Sequence, residues 1–145
     1  MSIRLKPLFK FFIVVAIIQF YSCSTEYNAK TIEGYWEVIE ADVKMPDLSP
    51  TIIDAGKELA LSSAYVFNDD SSYVETTNYY PEGIKGKWWV DMDSMILVLR
   101  NTDEEIPGNA EYNFRLESKR KMIWTQDYDG LGSIVLTLKK SNKEQ

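Results

Sequence analysis

The side chains that usually carry chemistry are sparse in this chain. No histidine occurs among its 145 residues. That removes imidazole acid–base catalysis, Ser–His and Cys–His nucleophile pairs and the usual imidazole zinc sites. No Gly-x-Ser-x-Gly arrangement is present to raise a serine nucleophile. Asp91 and Asp93 could act as paired carboxylates, but they flank Met92 at a strand end, where short acids serve a hairpin turn. Asp127-x-Asp129-Gly130 has the start of a calcium loop without its further oxygens and distal Glu, so it reads as a turn. Asp103-Glu104-Glu105 reads as a solvated loop. The chain is therefore expected not to be an enzyme, with no catalytic residue, no metal site and no cofactor.

One nucleophile stands apart. Cys23 is the single cysteine, so no intrachain disulfide can form. It follows Arg4, Lys6 and Lys10 and the apolar run Phe11–Ile18, which is shorter than the about 20 apolar residues a membrane span needs. Residues 1–22 are thus expected to be an export signal and stand outside the fold. Ser22-Cys23 at the end of that run resembles a bacterial lipoprotein signal, in which the new N-terminal Cys receives a lipid. Phe20 and Tyr21 depart from the strict pattern and match the looser form of Bacteroidetes lipoproteins. The resemblance implies lipid attachment at Cys23 and a cell-envelope, outer-membrane location, with the membrane face left open. Acyl chains hold a protein on a bilayer at about 0.8 kcal/mol per buried CH₂. Residues 23–31 would be a polar tether.

The charge balance excludes another class. The whole chain carries −6. Without the three basic residues of the signal, 13 of the 16 remain against 22 acids, a net −9. Such a surface repels phosphate backbones, so no nucleic-acid partner is expected. Lys119-Arg120-Lys121 is a basic turn tip, read as solubilising rather than lipid-facing.

Aromatic and β-branched residues dominate the mature chain and fit a pleated, half-buried surface. Gly34-Tyr35-Trp36 opens a strand over 35–41, where Ile39 breaks the alternation and predicts either a bulge or a strand buried on both faces. Met45-Pro46 and Ser49-Pro50 punctuate the segment 45–61. Ile52, Ile53, Ala55, Leu59 and Ala60 then recur at helical spacing, giving one short helix over 51–61 that covers a barrel end or acts as a lid. Seven more strands follow at 64–68, 72–78, 84–91, 94–100, 110–117, 120–126 and 133–140, mostly joined by short turns. Met92-Asp93 reads as a tight turn, and apolar residues on both faces of 94–100 predict cover on its outer side, with the helix as the candidate cover. The fold class is all-β: an eight-stranded antiparallel meander β-barrel with one short helix after the first strand. Residues 32–140 form this domain and 141–145 a polar tail.

Gly34-x-Trp36, Tyr65-Val66-Phe67-Asn68-Asp69-Asp70 with Tyr73, Gly86-x-Trp88 before Asp91-x-Asp93, and the closing Leu136–Lys140 resemble the bacterial lipocalin-like proteins. The resemblance implies a lipocalin-type barrel and names no ligand. Trp36, Phe67, Trp88, Tyr112, Phe114 and Trp124 are the residues that would line an apolar cavity or fill a solid core. Trp89 must point outward. The expected partners are a membrane, through the N-terminal lipid, and a small apolar ligand or a protein. In the competing view, the domain is a structural module with a packed interior. Replacing Cys23 with Ala is expected to leave an unlipidated, soluble protein. Mass measurement and membrane fractionation check this, and persistence of the variant in the membrane fraction would refute lipidation.

Overall fold

The computed structural model describes residues 28–102 and 108–142. The stretch expected to be an export signal, Cys23 and the rest of the expected tether up to residue 27, Asp103-Glu104-Glu105 and residues 143–145 lie outside them. Ten elements follow in order. They are α1 (Ala29–Ile32), β1 (Gly34–Lys44), α2 (Pro50–Leu61), β2 (Ala64–Phe67), β3 (Ser72–Thr76), β4 (Ile84–Asp91), β5 (Ile96–Asn101), β6 (Asn109–Ser118), β7 (Lys121–Tyr128) and β8 (Gly132–Ser141). The eight strands run antiparallel in chain order, and β8 returns to β1 to close a barrel. The expected meander and its single helix after the first strand are both present.

Closure depends on β1, the longest strand. It pairs with β2 over Gly34–Glu37 and with β8 from Tyr35 to Lys44. The register slips between Val38 and Glu40, leaving Ile39 bulged and half exposed. The bulge explains why β1 outruns the expected 35–41. One extra residue resets the alternation, so Ala41 and Val43 face inward beyond it, paired with Leu136 and Ile134. The same irregularity joins strand to helix, because the Val38 N–H donates to the Ser63 carbonyl just past α2 at 3.2 Å.

The two ends of the barrel differ. At one end, which we call the base, α1 plugs the opening with Ile32, which is fully buried. The Trp36 indole N–H donates to the Ile32 carbonyl at 2.6 Å. Lys140 donates to the Thr31 carbonyl at 3.0 Å and lies 5.4 Å from the centre of the Trp36 ring. Burial pushes the Lys140 ammonium below its ordinary pKa. Part of the stretch read as tether, Ala29–Thr31, is therefore docked. Gly34 enters β1 at φ +115°, and a side chain there would collide with the Lys140 stem. Gly86 lies under the Tyr73 ring, whose hydroxyl bonds Asn101, and a Cβ would strike both that ring and the Arg100 carbonyl. Both Gly-x-Trp runs thus allow close approach inside a crowded base.

Two local expectations are corrected. The turn after β4 is four residues long, Met92–Met95, with Met95 at φ 55° rather than in the strand. Asp91 organises it by accepting the N–H groups of Asp93 at 3.0 Å and Ser94 at 3.3 Å. The outer face of β5 is not covered by the helix. Val98 pairs with the outward, half-exposed Trp89 instead, while α2 packs on β1 at the opposite end from the base.

Trp36→Phe is expected to destabilise the fold by about 1–3 kcal/mol, because a buried carbonyl loses its donor while most ring packing survives. Urea unfolding measures this.

Candidate functional site

The end of the barrel away from α1 holds a cavity of about 630 Å³. Strands β1, β2, β3, β4, β6, β7 and β8 contribute to its wall, and α2 roofs it. The helix starts at Pro50, suited to a first helical position, and ends where Ser62 and Ser63 N–H groups bond back into its last turn. Ile52, Ile53, Gly56, Leu59 and Ala60 recur at i, i+1, i+4, i+7 and i+8 and all face the cavity. Yet no residue of α2 is buried, and Ile52 remains 55% exposed. The helix presents an apolar face to a space that the chain itself leaves unfilled. At Gly56 an added Cβ would meet nothing within 4 Å.

The floor is aromatic. Trp124, fully buried, meets Tyr65 edge-on at 4.8 Å and Tyr112 at 4.9 Å between ring centres. Below it Phe67 packs against Trp88 at 5.2 Å. The Trp88 indole donates to the Asn68 carbonyl at 3.1 Å, whereas the Trp124 indole N–H has no partner among the described residues. Of the six residues singled out from sequence, Trp36, Phe67, Trp88, Phe114 and Trp124 lie in the packed core, and Tyr112 lines the cavity. The structure brings them into one interior and divides them between base and cavity floor.

Apart from Tyr112, the polar features of the cavity were not singled out as site residues in the sequence. Five of the nine tyrosines line it: Tyr65, Tyr79, Tyr80, Tyr112 and Tyr128. Tyr79 and Tyr80 sit at the rim, where the Thr77 hydroxyl accepts both their N–H groups at 3.2 and 3.1 Å. Glu75 is the one charged residue among those lining the cavity. It accepts the Tyr65 hydroxyl at 3.0 Å, its single hydrogen bond among the described residues. Burial raises the Glu75 pKa against the lowering effect of that bond. Burial and the nearby Glu75 charge also raise Tyr65 and Tyr112, so both phenols stay protonated at neutral pH. On β7 the Tyr128 hydroxyl donates to the Gln126 side-chain oxygen at 2.8 Å. A signal for Glu75 was present, since strict alternation places it on the same face as Tyr73. An acid on an aromatic face is the anomaly that marks the site.

Asp91, Asp127 and Asp129 do not line the cavity, and no cluster of metal-ligating side chains occurs among the described residues. No described helix is long and apolar enough to cross a membrane. No protein-family model matches the chain and no curated protein matches it. Among solved structures it is similar to a DUF4847 family protein from Bacteroides vulgatus ATCC 8482. The identity is 12% over 77% of this chain and 95% of that one, with a TM-score of 0.49. A likeness at that level brings no activity or ligand to this protein.

Because its folded pKa is raised, Glu75 holds a proton in the native state at pH values where the unfolded chain has released it. Its contribution to stability is present below the ordinary value of 4.5 and is lost as pH rises through the raised folded value. Glu75→Gln, which keeps an acceptor for Tyr65, is therefore expected to be more stable than the native protein near neutrality. The advantage should shrink to nothing in acid. Thermal melts across that range check the sign.

Proposed function

We propose that this protein is a lipid-anchored, non-catalytic binding barrel of the cell envelope, whose ligand is a small, mostly apolar molecule held between the α2 helix and the aromatic floor. The observation that carries this is the roof helix, with its apolar face turned to an unfilled space of about 630 Å³. Ligand pockets fall in the range of about 300–1,000 Å³ and are chiefly apolar with a few placed polar groups. A bound molecule would bury Ile52 and Leu59 as well as the floor rings. The favourable term is about 25 cal/mol for each Å² of apolar surface removed from water.

The absence of histidine from the chain, and of any Ser, Thr or Cys paired with a base among the described cavity residues, supports a binding role over a catalytic one. The lipid anchor rests on Cys23, five residues before Asn28, where the described chain begins. The described chain enters the barrel at the base, through the first helix, at the end away from the cavity. An anchor joined to that end of the chain would leave the mouth free for a diffusing ligand.

The neutral apolar dye N-phenyl-1-naphthylamine tests the reading. It is expected to bind the Cys23→Ala chain with a rise in emission and to alter the fluorescence of Trp124 beneath the floor. Gly56→Trp, which places an indole in the open space, is expected to abolish that binding while the variant still melts cooperatively. Absence of dye binding to the parent chain would rule the ligand out.

A further inference from the structure

The cavity has a chemical polarity that its apolar lining conceals. Glu75 is its one charge, and no Lys or Arg lines it. The carboxylate has about four lone-pair sites, and among the described residues one hydrogen bond reaches it, from Tyr65. A carboxylate held out of water with so few donors is costly unless a further partner arrives. The groups around it are not cations. Tyr65 comes from β2, Tyr73 from its own strand, Tyr112 from β6 and Tyr128 from β7, while α2 contributes only Ile52, Ile53, Gly56, Leu59 and Ala60 to this space. The phenol rings nonetheless suit a positive charge, because their faces are negative.

We infer that the cavity takes an organic ammonium: a molecule with an apolar body under α2 and a protonated amine directed at Glu75 among the tyrosine rings. This rests on the binding reading above and adds the ligand's charge to it. The ammonium supplies the donors that Glu75 lacks. The apolar body fills the space beneath Ile52, Gly56 and Leu59. A carboxylate ligand of the same shape meets an uncompensated like charge and is rejected. The net −9 of the mature chain acts in the same direction, concentrating cations and repelling anions at the surface.

The test is displacement of bound N-phenyl-1-naphthylamine from the Cys23→Ala chain by three molecules that differ in one group: 4-phenylbutylamine, 4-phenylbutanol and 4-phenylbutanoate. The amine is expected to compete at a concentration lower than the alcohol by about tenfold, the scale of a charge-assisted hydrogen bond, with the carboxylate weakest. In Glu75→Gln the amine-to-alcohol ratio should fall to about one. A second measurement does not depend on that variant folding. In the parent chain the amine preference should fade as pH is lowered and Glu75 takes up a proton, while burial keeps Tyr65 and Tyr112 neutral throughout. Equal competition by amine and alcohol, a preference that survives Glu75→Gln or acid, or tightest binding of the carboxylate would overturn the inference and leave the binding role standing. Failure of the dye itself to bind would overturn both.

Discussion

The filling of one end of the barrel is the constraint from which the rest follows. An eight-stranded barrel encloses little more room than its own side chains occupy. Here the large rings are unevenly distributed along the axis. Trp36 is held at the base by its hydrogen bond to the Ile32 carbonyl, and Trp88 by its bond to the Asn68 carbonyl. Phe67 meets both Trp88 and Trp124 edge-on. The fully buried rings Trp36, Phe67, Tyr73 and Trp124 all lie outside the cavity lining, with Trp124 at its floor. What remains above it are tyrosines, which bring a polar tip, together with smaller aliphatic residues. The interior runs short of filling material at that end, and α2 lies across the gap without closing it.

The bulge at Ile39 links this packing to the roof. Without it, β1 would present Glu40 and Asp42 to the interior instead of Ala41 and Val43. With it, β1 stays paired to β8 up to Lys44. The freed geometry lets Val38 bond the Ser63 carbonyl. The C-terminal end of α2 is thus fixed to the barrel wall, while its body rests over the cavity with no buried residue. A helix attached at one end, above an apolar space, is suited to admitting a ligand with little backbone change.

Much of the fold was legible because period-two alternation is a strong signal in β6 and β8, where Tyr112, Phe114 and Leu116, or Leu136 and Leu138, share a face without exception. The bulge was legible for the same reason, as the one place where alternation failed in β1. The turn at Met92–Met95 was not legible. A methionine at positive φ is a conformation that side-chain type does not announce. The cover expected over β5 came from another ambiguity: two apolar faces indicate that something lies outside but not what, and the answer is the neighbouring Trp89. The division of the six aromatics between core and cavity depended on their height along the barrel axis. Height is set by the shear of the strands, which no local pattern encodes.

Glu75 shows why the site escaped notice and why it matters. In a sequence, an acid among Tyr73, Val74 and Thr76 looks like the polar side of an edge strand. In the barrel β3 has no solvent side on that face, because Tyr65 and Ile84, its neighbours on β2 and β4, both turn inward. A charged side chain survives there only because the space above it is open and the Tyr65 hydroxyl is within reach. Had the cavity been filled by another aromatic, as the base is, the carboxylate would be sealed in with a single donor and the strand would select against it. Acid and vacancy thus depend on each other. The barrel tolerates Glu75 because it is hollow at this end, and Glu75 gives the hollow end the one charged group among its lining residues.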